Sequence, residues 1–265
     1  MNSLSVCAET VFGQLPFEQR VREIVKEGFA IEFWHRPEGD IAFLEAHPEI
    51  EVHTFVGCNE GSIFHPDGVE TYLRGVEREL SLAKRLHCRR LILITGEIGA
   101  RGEAVHLVAD HPATRWLTAY KVLGRVAELA EKHDVVYSLE HLNTKVDHPH
   151  YPLPHVEDAA RLVEQVGSPR IRLLLDLYHA QVEEGNLVDT IRQYAHIVGH
   201  VHVADVPGRH EPGTGEINYP FVARALRDTG YEGTIGMEAF PLDDRQALRR
   251  FREIFGVGLT AKSST

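Results

Sequence analysis

Residues 171–220, IRLLLDLYHAQVEEGNLVDTIRQYAHIVGHVHVADVPGRHEPGTGEINYP, contain two apolar runs that each stop on a metal-capable side chain. IRLLLD ends at Asp176, and HIVGHVHV carries His200 and His202 near its end. One helix's worth of chain lies between them. A strand ending on Asp, a crossover and a next strand ending on His make a βαβ unit that aims both side chains at one point above a parallel sheet.

The same unit recurs on either side. Downstream come a helix over 219–229, the strand TIGMEAF (234–240) and a helix over 243–255; upstream come DVVYSLE (134–140), a long loop and a helix over 155–167, with a further helix expected over 187–195. The first half repeats the pattern with LSVCAETVF (4–12), GFAIEFWH (28–35), IEVHTFVG (50–57) and RRLILIT (89–95) as strands. Pro16 opens the first helix and Gly28 closes it, the usual asymmetry of helix ends. From Val69 a helix places Val69, Tyr72, Leu73, Val76, Leu80 and Ala83 on one face, and a later one groups Tyr120, Leu123, Val126, Ala127 and Ala130. The strands read as continuous apolar runs, as strands covered on both faces do. Eight such units in 265 residues predict a single-domain α/β fold, a (β/α)8 TIM barrel over 1–257 with a frayed C-terminal tail over 258–265. A doubly wound open sheet fits the alternation too.

Composition narrows the partners. With 43% hydrophobic and 25% charged residues the chain can bury one large core. The net charge of −11 and the absence of a Lys/Arg run disfavour nucleic acid, whose phosphates would be repelled over most of the surface. Cys7, Cys58 and Cys88 are widely spaced and odd in number, so they predict buried reduced thiols rather than disulfides or a zinc knuckle. Neither a signal peptide nor an 18-residue apolar run is present, so no membrane association and a cytoplasmic location are expected.

Four strand ends carry the chemistry. Glu140, Asp176, His202 and Glu238 lie 36, 26 and 36 residues apart, one βα unit each, so consecutive strands deliver three carboxylates and one imidazole to the same rim. Oxygen-rich ligation with one nitrogen and no sulfur suits one divalent ion, Mn²⁺ or Mg²⁺ first, with Co²⁺ or Zn²⁺ as alternatives. His200, two residues before His202, faces the same way one layer deeper, either as a donor behind the ligands or as core filler. His179 and Arg209 sit on loops above the rim, where they can donate hydrogen bonds to substrate oxygens. For Arg209 the competing reading is a loop brace to Glu211 or Glu216. His87, His106, His111 and His133 fall on helices or loops without a partner pattern.

The stretches SLEHLNTKVDHP, LLLDLYHAQVEEGNL, GHVHVADVPGRHEPGTGEINYP and GYEGTIGMEAFP resemble the hydroxypyruvate isomerase branch of the xylose-isomerase-like barrels, which include sugar isomerases and ketose 3-epimerases. The resemblance is close over residues 135–241. It implies a metal held by Glu140, Asp176, His202 and Glu238, with Glu140 and Glu238 also the catalytic proton-moving pair and His179 and Arg209 contacting substrate. The implied substrate is a small sugar or hydroxy-keto acid, isomerised through an enediolate. The superfamily's dimers and tetramers imply a homo-oligomer. Two departures stand out. The isomerase branch commonly has Gln at the position of His202, where the epimerases have His. The loop GCNEGSIFHPDG also stands where true hydroxypyruvate isomerases carry Gly-Asp-Trp and Gly-Glu-Arg. Ketose 3-epimerisation, or elimination by a related lyase or dehydratase, is the alternative reaction, and a non-catalytic sugar-binding protein is the bland alternative. A barrel endonuclease would need a three-zinc cluster and a basic face. Pocket walls from the first half are expected from Trp34, His35, Phe55 and His65.

Overall fold

In the computed structural model, which describes residues 3–105, 107 and 109–256, eight parallel strands close on themselves in sequence order. They are β1 (Leu4–Cys7), β2 (Ala30–Phe33), β3 (Val52–Val56), β4 (Arg90–Leu93), β5 (Val136–Glu140), β6 (Ile171–Asp176), β7 (Val198–Val203) and β8 (Thr234–Met237). The helices around them are α1 (Phe17–Lys26), α2 (Glu38–Glu45), α3 (Val69–Arg85), α4 (Pro112–His133), α5 (Val156–Val166), α6 (Leu177–Glu183), α7 (Leu187–Tyr194), α8 (Tyr219–Asp228) and α9 (Asp244–Phe255). The single-domain TIM barrel is therefore present, and β1 pairing with β8 removes the open-sheet alternative. His106 and the expected tail over 258–265 lie outside the described residues.

The helices form where the periodicity places them, because each buries a stripe against the barrel. In α3 the residues Tyr72, Leu73, Val76, Leu80 and Ala83 are buried as expected. In α4 the buried stripe is Ala119, Val122, Leu123, Val126, Ala127 and Ala130, while Tyr120 is exposed. The small Ala119 takes the inner position and the larger Tyr120, one residue on, turns outward. His111, assigned no role by pattern, caps α4 by accepting the Ala113 N–H on Nδ1. Asp243 caps α9 from Gln246 N–H at 2.8 Å.

Three differences from expectation matter for the site. β1 ends at Cys7 rather than running to 12; Val11 and Phe12 are buried in the connecting loop instead. A short extra helix, α6, follows β6 directly, capped by Asp176 Oδ1, which accepts N–H groups from Tyr178 at 2.7 Å and His179 at 2.9 Å. β3 carries an irregularity, Ile31 pairing with Val52 but Glu32 with Thr54, so an extra residue enters at His53. Cys7, Cys58 and Cys88 are buried free thiols. Among the described residues no helix is long and apolar enough to cross a membrane.

Candidate functional site

At the C-terminal rim, β5, β6, β7 and the residue after β8 bring Glu140, Asp176, His202 and Glu238 together, all buried. Asp176 and His202 are direct register partners across β6 and β7. His202 Nδ1 points at the three carboxylates, 3.5 Å from Glu140 Oε1, 3.6 Å from Glu238 Oε2 and 3.9 Å from Asp176 Oδ2. Glu140 Oε1 and His202 Nδ1 are both buried without a hydrogen-bond partner. Buried polar atoms are rarely left unpaired, and three carboxylates around one inward imidazole nitrogen are a donor set for a hard divalent cation. The residues present therefore fit such an ion.

His179 also reaches this cluster, its Nε2 3.7 Å from Asp176 Oδ2, and it can be grouped with Glu140, Asp176 and Glu238 as a ligand. Its hydrogen bonds argue for a different use. Asn143 Oδ1 accepts N–H groups from Val146 at 3.0 Å and Asp147 at 3.1 Å, which fixes the amide so that Nδ2 donates. That Nδ2 lies 2.6 Å from His179 Nδ1, and the Asn143 backbone N–H donates to the same atom at 3.3 Å. Nδ1 is thus the acceptor, and the proton sits on Nε2, facing the site as a donor. Burial holds His179 well below the usual imidazole pKa, with the Arg209 charge adding to this, so the ring is neutral.

Arg209 is buried and donates from Nη2 to Glu238 Oε2, while its guanidinium lies 5.2 Å from the centre of the Tyr178 ring. It is not braced to Glu211 or Glu216: Glu211 Oε2 accepts from Leu242 N–H, and Glu216 Oε1 from Gln181. The loop that carries Arg209 is shaped by Asp205, which accepts N–H groups from Val206, Gly213 and Ile217. At Gly215 a Cβ would come within 2.1 Å of Val206 O, so only glycine allows that close approach.

The carboxylates differ in acidity. Burial pushes Glu140 up to about 7, the nearby His202 opposing and Glu238 and Asp176 adding to the rise. For Glu238 burial acts the same way, but Arg209 and His202 outweigh it and the group is held below its ordinary value. Asp176 is raised by burial. Two carboxyl groups whose environments push them apart can serve as acid and base at neutral pH.

Several residues of the site were not singled out by sequence. Glu32, on β2, accepts from His202 Nε2 at 2.8 Å and contacts His200 Nε2 at 2.9 Å. Tyr178 donates to Asp147 Oδ2 at 2.9 Å, and Asn143 Nδ2 donates to the same carboxylate at 2.6 Å. The one available signal for Glu32 was a lone carboxylate inside an apolar strand run. Of the expected first-half walls, Trp34 does reach the site and donates its indole N–H to Glu238 Oε1. Phe55 does not: it stacks on Phe33 with ring centres 4.9 Å apart, beside Ile41 and Leu82 on the helix side of the sheet. His65 accepts the Asp67 N–H and caps the short turn Pro66–Gly68.

Residues 41–254 match the family described as Xylose isomerase-like TIM barrel. A Homo sapiens protein provisionally named hydroxypyruvate isomerase is 35% identical over 180 residues, covering 68% of this chain and 64% of that one. A Danio rerio protein with the same provisional name is 30% identical over 262 residues, 93% of this chain and 94% of its own. The Escherichia coli K12 protein named hydroxypyruvate isomerase is 28% identical, covering 92% of this chain and 95% of that one. Among solved structures, one titled AP endonuclease, family 2, from Brucella melitensis superposes with a TM-score of 0.85 at 26% identity, covering 96% of this chain and 99% of that one.

Proposed function

The chain belongs to the xylose isomerase-like TIM-barrel family, and we propose that it is a divalent-metal-dependent isomerase of a small hydroxy-keto acid or sugar. Glu140, Asp176, His202 and Glu238 are the residues that would hold the ion, Mn²⁺ or Mg²⁺ by the hardness of the donors. When bound, such an ion would polarise the substrate carbonyl and its neighbouring hydroxyl and stabilise negative charge on them.

The observation that carries the reading is the meeting of Glu140 and Glu238 at one buried point, 3.5 and 3.6 Å from His202 Nδ1. One takes the proton from the carbon beside the carbonyl; the other returns a proton to the adjacent carbon, through an enediolate of the substrate. His179 donates its Nε2–H to a substrate oxygen, and Arg209 turns from Glu238 to a substrate oxygen or carboxylate. Trp34 holds Glu238 in place through its indole N–H.

Epimerisation is the second reading. Histidine at position 202 favours it, and it differs only in returning the proton to the opposite face of the same carbon. An endonuclease activity, the printed title of the Brucella structure, sits poorly with a net charge of −11. The test is a panel of C3 to C6 hydroxy-ketones, 2-oxo acids and aldoses assayed with added Mn²⁺ or Mg²⁺. Turnover of at least one pair, lost on chelation and restored by metal, is expected; activity that survives chelation would reject the metal-dependent reading.

A further inference from the structure

We propose that Glu32 is a positioning residue for the reaction, the buried carboxylate that fixes which nitrogen of His202 faces the three-carboxylate cluster. This rests on the reading of His202 as a metal ligand. Glu32 Oε2 lies 2.8 Å from His202 Nε2, on the far side of the ring from the cluster. A carboxylate there accepts a hydrogen bond from Nε2–H, which leaves the Nδ1 lone pair for a cation and sets the ring orientation.

Glu32 is itself held on three sides. Ser5 Oγ donates to Oε1, and His200 Nε2 approaches the same oxygen to 2.9 Å. The third side is made by an absence of side chain: a Cβ at Gly236 would lie 2.5 Å from Glu32 Oε1 and 2.8 Å from Oε2. Gly236 is also the register partner of both Ser5 and His202 across the closed barrel. Strands β1, β2, β7 and β8 thus build one socket around a single carboxylate beneath the rim. Such an arrangement is costly in a barrel interior, which is normally filled by branched apolar side chains, unless the charge is used. His200 then has a place as well: it holds the carboxylate rather than the substrate.

The same three groups, Glu32, His200 and His202, could themselves ligate an ion, and the test separates the two roles. Mn²⁺ is titrated calorimetrically into the whole protein, wild type and Glu32→Gln, under conditions where far-UV circular dichroism shows both folded. Gln keeps the volume and an acceptor oxygen but loses the charge. One ion per wild-type chain is expected, with affinity roughly 10- to 100-fold weaker in Glu32→Gln and stoichiometry unchanged. A merely structural Glu32 would lower the melting temperature and leave the affinity within twofold, which overturns the proposal. Two ions in wild type falling to one in the variant would overturn it as well, making Glu32 a ligand. No ion in wild type would reject the metal reading itself, and the Glu32 role with it. Should Glu32→Gln not fold, Gly236→Ala decides: the heavy atoms nearest its new Cβ are those of the Glu32 carboxylate, which it displaces. Weakened affinity supports the proposal, and affinity within twofold overturns it.

Discussion

Asn143 decides how His179 can act. Its amide is locked by two backbone donors, so it can only donate to His179 Nδ1, and the imidazole must present Nε2–H to the site. Asn143→Asp would reverse this, since a carboxylate attracts an N–H to Nδ1 and leaves Nε2 bare. We expect kcat/KM to fall roughly 10- to 100-fold, the size of one hydrogen bond lost to a polar substrate group, with metal affinity retained. Steady-state kinetics with calorimetry checks this; unchanged kcat/KM would contradict the donor role, and a gain in metal affinity would show the bared Nε2 acting as a ligand. Before the structure, His179 and Arg209 could be picked out as donors because they follow strand ends by a few residues. The tautomer could not be read, because it depends on Asn143 and the turn Asn143–Asp147, which lie on a different βα loop.

Asp176 does two jobs at the junction of two elements. Oδ1 caps α6 while Oδ2 faces the ligand cluster. Asp176→Asn keeps an acceptor for the cap, so folding stability should change by less than about 1 kcal/mol while metal affinity collapses. Asp176→Ala should lose both, with a further cost of about 0.5–2 kcal/mol from the missing cap. Urea denaturation of both chelated variants distinguishes these; equal destabilisation would mean that the cap contributes nothing. The elements that the sequence makes legible are those with a period or a stop: β5 and β6 end in a carboxylate, α3 and α5 have clear apolar stripes. α6 has no visible period, being seven residues fused to a strand end. Phe55 was misplaced for a similar reason. The irregularity at His53 shifts the pleat of β3, and nothing in IEVHTFVG announces it.

At the scale of the whole molecule, buried imidazoles held neutral couple stability to pH. Burial drives His53 and His141 from 6.5 down to about 3, with neighbouring histidines adding to the effect. Below pH 6.5 the unfolded chain takes up protons on these residues and the folded chain does not. Stability should therefore be complete above that pH and fall as pH drops toward 3, by up to about 1.4 kcal/mol per pH unit for each histidine. His141→Gln should make the slope of unfolding free energy between pH 6.5 and 5 shallower, as seen by urea midpoints; an unchanged slope would contradict the assignment. The barrel itself was readable because eight apolar runs alternate with helices over a chain of barrel length. Its inner polar layer was not, since Ser5, Glu32, His53, His200 and Gly236 come from five separate strands and meet only when the sheet closes.

The claim on which these readings converge is that Glu140 and Glu238 pass a proton through an enediolate of the substrate. Its most direct test is a proton NMR time course in D₂O, with Mg²⁺-loaded protein and a turned-over ketose or 2-oxo acid whose carbon beside the carbonyl carries a known hydrogen. The account predicts solvent deuterium appearing at that carbon, slowed by roughly two to four orders of magnitude in Glu140→Gln. Intact migration of a substrate label from one carbon to the next, at a rate unaffected by Glu140→Gln or Glu238→Gln, would instead show a hydride shift and contradict the assignment of these two residues as acid and base.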